Sequence, residues 1–173
     1  TLTIMKIGII LNPREKELPI SRNESEGVVE YLCKELELLG HQLFILGPAG
    51  FECKGELIPY ELEDISNTEN AHINSVGYTL ASLRQLMDND LDVIHNHSTD
   101  PFLLIIGNQL NIPFITTFHE PIVTDTVYAI KSLLGEYNQT FTCVNEALAQ
   151  QYSEFLPNIQ TIHSGIDMEE WEL

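Results

Sequence analysis

Residues 92–120 read DVIHNHSTDPFLLIIGNQLNIPFITTFHE, and this stretch decides the fold. The run DVIHNH is short, apolar and bounded by polar residues, the pattern of a strand buried inside a sheet. Pro101 follows Asp100 and opens a helix at the position where a missing backbone N–H costs nothing. PFITTFH then reads as a second strand. A strand, a helix and a strand in this order make the two strands parallel members of one sheet.

The same alternation extends in both directions. Upstream, IMKIGIIL (4–11) is a strand, followed by a polar loop through Asn23 that contains Pro13 and Pro19. In VVEYLCKELELLGH, the residues Val28, Val29, Leu32, Leu36 and Leu39 recur at helical spacing, and Gly40 supplies the stop. HQLFILG is a second buried strand. Residues 50–75 are acidic and irregular, with a weak apolar patch at 57–60. A helix follows, with Val76, Leu80, Leu83 and Met87 on one face. Downstream, 127–134 is helical and TFTCV is a strand. NEALAQQYSEFL is a helix that Asn145 is placed to cap, and IQTIHSGI is the last strand. Apolar strands alternating with amphipathic helices predict an α/β fold, a doubly wound, Rossmann-like parallel sheet covered on both faces. Residues 1–166 are expected to form one domain, and 167–173 to begin a linker.

Charge narrows the function. Twenty-six Asp and Glu against eight Lys and Arg give a formal charge of −18. Such a field repels phosphate backbones and anionic lipid, so nucleic-acid binding and membrane contact are not expected. The acids are spread over amphipathic segments, as on a solvated surface. Cys33, Cys53 and Cys143 are an odd number without metal-binding spacing, as in a reducing compartment. With neither a membrane-length apolar run nor a signal-peptide pattern, the expected location is cytoplasmic.

Six histidines occur, and four of them end predicted strands: His95 and His97 the first discussed, His119 the next, His163 the last. Ligands of open parallel sheets bind at the carboxyl ends of the strands, so the fold should bring these rings to one rim. The HxH spacing puts His95 and His97 on the same side of their strand. Three readings follow. A metal-dependent hydrolase or deacetylase would use His95, His97, His119 and Asp100, with Glu120 and Asp125 nearby, although no HExxH motif accompanies them. A structural reading has one or two rings satisfied by local hydrogen bonds. The third is a single working histidine in a cleft shaped by the others.

The blocks MKIGIILNP, VVEYLCKELELLGHQLFILGP, DVIHNHSTDPFLLIIGNQLNIPFITTFHE, TCVNEALAQQY and TIHSGIDMEEW occur in an order and spacing that span most of the chain. In this order the chain resembles the N-terminal, acceptor-side half of retaining GT-B glycosyltransferases of the family 4 (group 1) type. The resemblance implies metal-independent sugar transfer with retention from a nucleotide-sugar donor, a UDP-sugar, to a saccharide or small-molecule acceptor hydroxyl. It implies that a second Rossmann-like domain binds the donor, that this half alone is inactive, and that it binds no cofactor itself.

The match puts the catalytic role on His119, as a hydrogen-bond partner of the reacting sugar. It puts Asn12, Asn23, Glu24, His97 and Glu120 on the acceptor side of the cleft, and Ser164 and Gly165 toward the donor. His95 is expected to serve the fold. Glu120 is equally readable as a solvated loop acid. The chain departs from the family where Asn23 and Glu24 stand in place of paired glycines. Glu24 and Glu26 suit a helix N-terminus but repel a phosphate there, which leaves a neutral acceptor, a repurposed loop or reduced activity. A noncatalytic α/β binding module is the remaining alternative.

Overall fold

Ile7, Ile9 and Ile10 are buried in an interior strand of the sheet, and the other apolar runs align beside it. The structure is a computed structural model and describes residues 3–12, 24–60 and 71–165, without the side chains of 24–25 and 71–75. Its strands are β1 (Lys6–Ile10), β2 (Gln42–Gly47), β3 (Glu56–Pro59), β4 (Val93–Asn96), β5 (Phe114–Phe118), β6 (Gln139–Cys143) and β7 (Gln160–Thr161). Its helices are α1 (Glu24–Leu38), α2 (Ala71–Met87), α3 (Pro101–Gly107), α4 (Thr124–Ser132) and α5 (Glu146–Tyr152). All pairings are parallel, in the order β3-β2-β1-β4-β5-β6-β7. This is the expected Rossmann-like α/β sheet. Its order reverses between β1 and β4, where the crossovers on either side diverge and leave a crevice.

The two faces are covered unequally. On one, Ile10, Leu46, Ile94 and Phe114 pack against Leu83 and Leu86 of α2 and Leu103 of α3. That face continues through Phe118, Phe141 and Cys143 to Ala129 and Ile130 of α4 and Leu148 and Tyr152 of α5. On the other, α1 packs Val29, Cys33 and Leu36 onto Ile7, Ile9, Leu43 and Ile45. Among the described residues α1 is the one helix on that face, joined over β1 and β2 by Phe51 and Cys53 of the loop after β2, and no described helix covers its β4–β7 half.

Local signals fix the helix ends. Asp100 accepts from the Phe102 N–H at 2.9 Å, and Asn145 from the Leu148 N–H at 2.9 Å, satisfying donors that a helix start leaves unpaired. After α1, Gly40 has φ +90°; its N–H donates to Glu37 O and the His41 N–H to Leu36 O, a Schellman closure. The cysteines are free thiols.

Several boundaries differ from the sequence expectation. Residues 56–59 form β3 rather than an irregular patch, an edge strand that tolerates Pro59 because one side of its ladder is unpaired. Helix α2 begins at Ala71, and its buried stripe is Thr79, Ser82, Leu83 and Leu86, with Leu80 40% exposed. Helix α4 occupies Thr124–Ser132 rather than 127–134; Leu134 adopts φ 54° and ends it. The final strand is only Gln160–Thr161, so His163 lies beyond it. Asn23 and the expected linker at 167–173 lie outside the described residues.

Candidate functional site

Alternation along β4 and β5 builds the site. Ile94 and Asn96 point to the helix-covered face, which puts His95 and then His97 on the open one. The same phase on β5 sends Phe114, Thr116 and Phe118 to the covered face and Ile115, Thr117 and His119 to the open one. Because β4 and β5 pair in register, with His95 opposite Ile115, the three imidazoles meet at the carboxyl ends. The rings of His95 and His97 lie 4.0 Å apart by centroid, and those of His97 and His119 5.1 Å apart.

Each ring has a defined partner. His97 Nδ1 and His119 Nε2 are 2.8 Å apart, a direct imidazole–imidazole hydrogen bond. His95 Nε2 meets Thr117 Oγ1 at 2.7 Å, and that hydroxyl meets Thr142 Oγ1 of β6 at 2.7 Å. His97 is 3% exposed, and its Nε2 is sealed from solvent without a hydrogen-bond partner. Burial, reinforced by the neighbouring rings, holds the His97 pKa well below the usual imidazole value. Burial, and then the charge of His119, push His95 down to about 4; burial pushes His119 down to about 4. All three rings are therefore neutral at pH 7.

Polar residues beneath the rings hold the strand ends. Asn12 Oδ1, after β1, accepts from Ser98 Oγ at 2.8 Å, Thr99 N at 2.9 Å and Thr99 Oγ1 at 3.2 Å. The carboxamide oxygen is thus committed to closing the β1 and β4 ends together across the crevice. On the covered face, Gln139 Nε2 donates to Leu104 O at 2.7 Å while its Oε1 accepts from Thr116 Oγ1 at 3.1 Å. A buried amide satisfied at both ends fixes β5 relative to β6 and α3.

A cavity of ≈ 630 Å³ runs from these rings down the open face. It is floored by Thr117, Thr140 and Thr142, walled by Tyr31 and Glu35 of α1, and bordered by His163, Ser164 and Gly165. Its size is that of a small-molecule site. The structure therefore brings His97, His119, Ser164 and Gly165 around one space. Glu120 is exposed and borders a separate, small hollow with Ser98 and Thr99; His119 lines both. Glu24 begins α1, but its side chain lies outside the described residues.

The metal-ligand reading lacks a geometry. Among the described residues no group of three His, Cys, Asp or Glu side chains is placed to hold a metal ion. The Asp100 carboxylate is occupied by the α3 N-terminus, and His97 Nδ1 and His119 Nε2 occupy each other. The threonine relay Thr117–Thr142 and the α1 wall were not anticipated from sequence. The alternation in QTFTC carried part of the first, since Thr140 and Thr142 are its every second residue and share one face, whereas FITTF puts Ile115 and Thr117 on that face and Thr116 on the other.

No curated protein gives a match to the chain. The family model of Glycosyltransferase Family 4 matches residues 25–170, most of the sequence and every element from α1 to β7. With the expected parallel sheet and its histidines at the strand ends, the chain belongs to glycosyltransferase family 4.

Proposed function

We propose that this domain is the acceptor side of a retaining GT-B glycosyltransferase. It works with a second Rossmann-like domain that binds a nucleotide sugar, UDP-linked, and it transfers nothing by itself. The observation that carries this reading is His119, held by His97 at the end of β5 and facing a cavity that also meets Ser164 and Gly165. A neutral imidazole in such a place supplies a directed hydrogen bond without bringing charge, which suits stabilisation of a sugar centre as charge develops. Ser164 and Gly165, beyond the last strand, are on the side from which the donor approaches. Glu120, exposed beside His119, is available to acceptor hydroxyls, while Asn12 contributes by fixing the floor of the crevice. Asn23 and Glu24, in place of paired glycines, favour a neutral saccharide over a phosphorylated one at the α1 N-terminus.

The test is transfer and donor hydrolysis by the complete enzyme, with and without His119→Ala. Loss of one directed bond to a developing charge should cost roughly 100-fold in kcat, or about 2.7 kcal/mol of barrier. A loss of less than about 1 kcal/mol would remove His119 from the mechanism. Inversion of the anomeric centre in the product would remove the retaining assignment.

A further inference from the structure

We propose that His97 is a positioning residue that fixes the tautomer of His119, so that His119 meets its ligand as a hydrogen-bond donor through Nδ1–H and not as a base. The inference deepens the proposed function and rests on it for its consequence in catalysis, but its structural content is independent.

The argument starts from the bond between His97 Nδ1 and His119 Nε2 at 2.8 Å. A neutral imidazole carries one proton, so only two arrangements of this bond exist. In one, His119 Nε2–H donates to His97 Nδ1, and the proton of His97 then sits on Nε2. That atom is buried and faces no acceptor, which leaves an N–H orphaned in the interior. In the other, His97 Nδ1–H donates to His119 Nε2, and His97 Nε2 is a bare lone pair. An orphaned buried N–H is the rarer and costlier defect, so the second arrangement holds. Protonating both nitrogens of His97 is excluded by its burial between two other imidazoles.

The proton on His119 must then be on Nδ1. That nitrogen bonds to no described residue and, unlike His97 Nε2, is not sealed from solvent. His119 lines both hollows of the site, so Nδ1–H is the atom left for a ligand. A donor there recognises an oxygen: a sugar hydroxyl, a ring oxygen or a leaving phosphate oxygen. It cannot abstract a proton from the acceptor hydroxyl, and that proton must leave to another oxygen. The buried position of His97 is explained by the same step: it sets the sense of the bond.

The experiment uses the 173-residue chain with ring-15N-labelled histidine at neutral pH. Long-range 1H–15N spectra report which nitrogen of each ring is protonated, and scalar coupling across the N–H···N bond identifies the pair. The expected result is protons on Nδ1 of both His97 and His119, with coupling between His97 Nδ1 and His119 Nε2. A proton on Nε2 of either ring, or absence of the coupling, overturns the proposal. Two near-isosteric variants then separate donor from acceptor at the His97 position. His97→Asn keeps an N–H there and should leave the His119 proton on Nδ1; His97→Asp offers only acceptors and should move it to Nε2.

In the complete enzyme, His97→Asp should lower kcat at least tenfold with acceptor KM unchanged, and His97→Asn should recover most of it. Equal losses in both variants overturn the positioning role. Should His97→Asp not fold, the wild-type spectrum and His97→Asn still decide. If the tautomers are as expected while His119→Ala leaves transfer intact, the catalytic reading fails and the positioning role goes with it. If His119→Ala abolishes transfer and the protons are reversed, this inference fails alone.

Discussion

His95 and His119 are neutral imidazoles in a protein whose surface is strongly acidic, and that contrast has a pH consequence. Their folded pKa values of about 4 lie below the unfolded value near 6.5. Between those limits the unfolded chain binds protons that the folded chain refuses. Stability therefore rises with pH across this window, is fully present above about 6.5, and is lost progressively as pH falls toward 4. Each ring contributes at most about 1.4 kcal/mol per pH unit. Urea unfolding of wild type and His95→Gln at pH 7 and pH 5 checks this. Gln keeps a polar tip for Thr117 without the titration, so the variant should lose less stability on acidification. Equal pH slopes would mean that His95 titrates alike in both states. The convergence of His95, His97 and His119 was legible from their strand-end positions. Their pairing was not, because hydrogen-bond direction depends on the register of β4 against β5 and on depth of burial.

At the level of elements, α3 shows how a short helix is held. Asp100 supplies its N-terminal acceptor, and Gly107 lies against Phe114 so closely that a Cβ there would sit 2.6 Å from the ring. Asp100→Ala should therefore destabilise the domain by about 1 kcal/mol in chemical denaturation. Gly107→Ala should destabilise it by about 1–3 kcal/mol, despite the better helix propensity of Ala, because Phe114 is 2% exposed and cannot retreat. An unchanged midpoint for Gly107→Ala would show that α3 slides on β5 without cost. Asp100, Pro101 and Asn145 were readable because caps are local in sequence. The edge strand β3 and the early start of α2 were not. Glu56–Pro59 is a strand only because β2 lies beside it, with Phe44 opposite Glu56 and Leu46 opposite Ile58.

At the scale of the whole molecule, a formal charge of −18 means mutual repulsion over a small surface. Raising salt from about 10 mM to about 300 mM shortens the Debye length from roughly 30 Å to under 10 Å. The midpoint of thermal unfolding should rise by a few degrees; a fall would show that the acids are stabilised by ion pairs instead. The described residues contain no helix long and apolar enough to cross a membrane. The half of the sheet that no described helix covers belongs to this scale as well. Helices α2 to α5 cover one face, α1 covers β1 and β2 on the other, and the cavity occupies what is left.

Sequence by itself determined the alternation of strands and helices, the helix caps, the family and the strand ends to which the histidines would come. These follow from local chemistry and from periodicity, which a single chain carries in its order of residues. Only the tertiary structure decided which histidine bonds to which, which nitrogen of His97 is orphaned, and which face of the sheet the described helices cover. Those properties depend on atoms brought together from distant positions, such as His97 and His119 across β4 and β5. No local pattern encodes the distance between them.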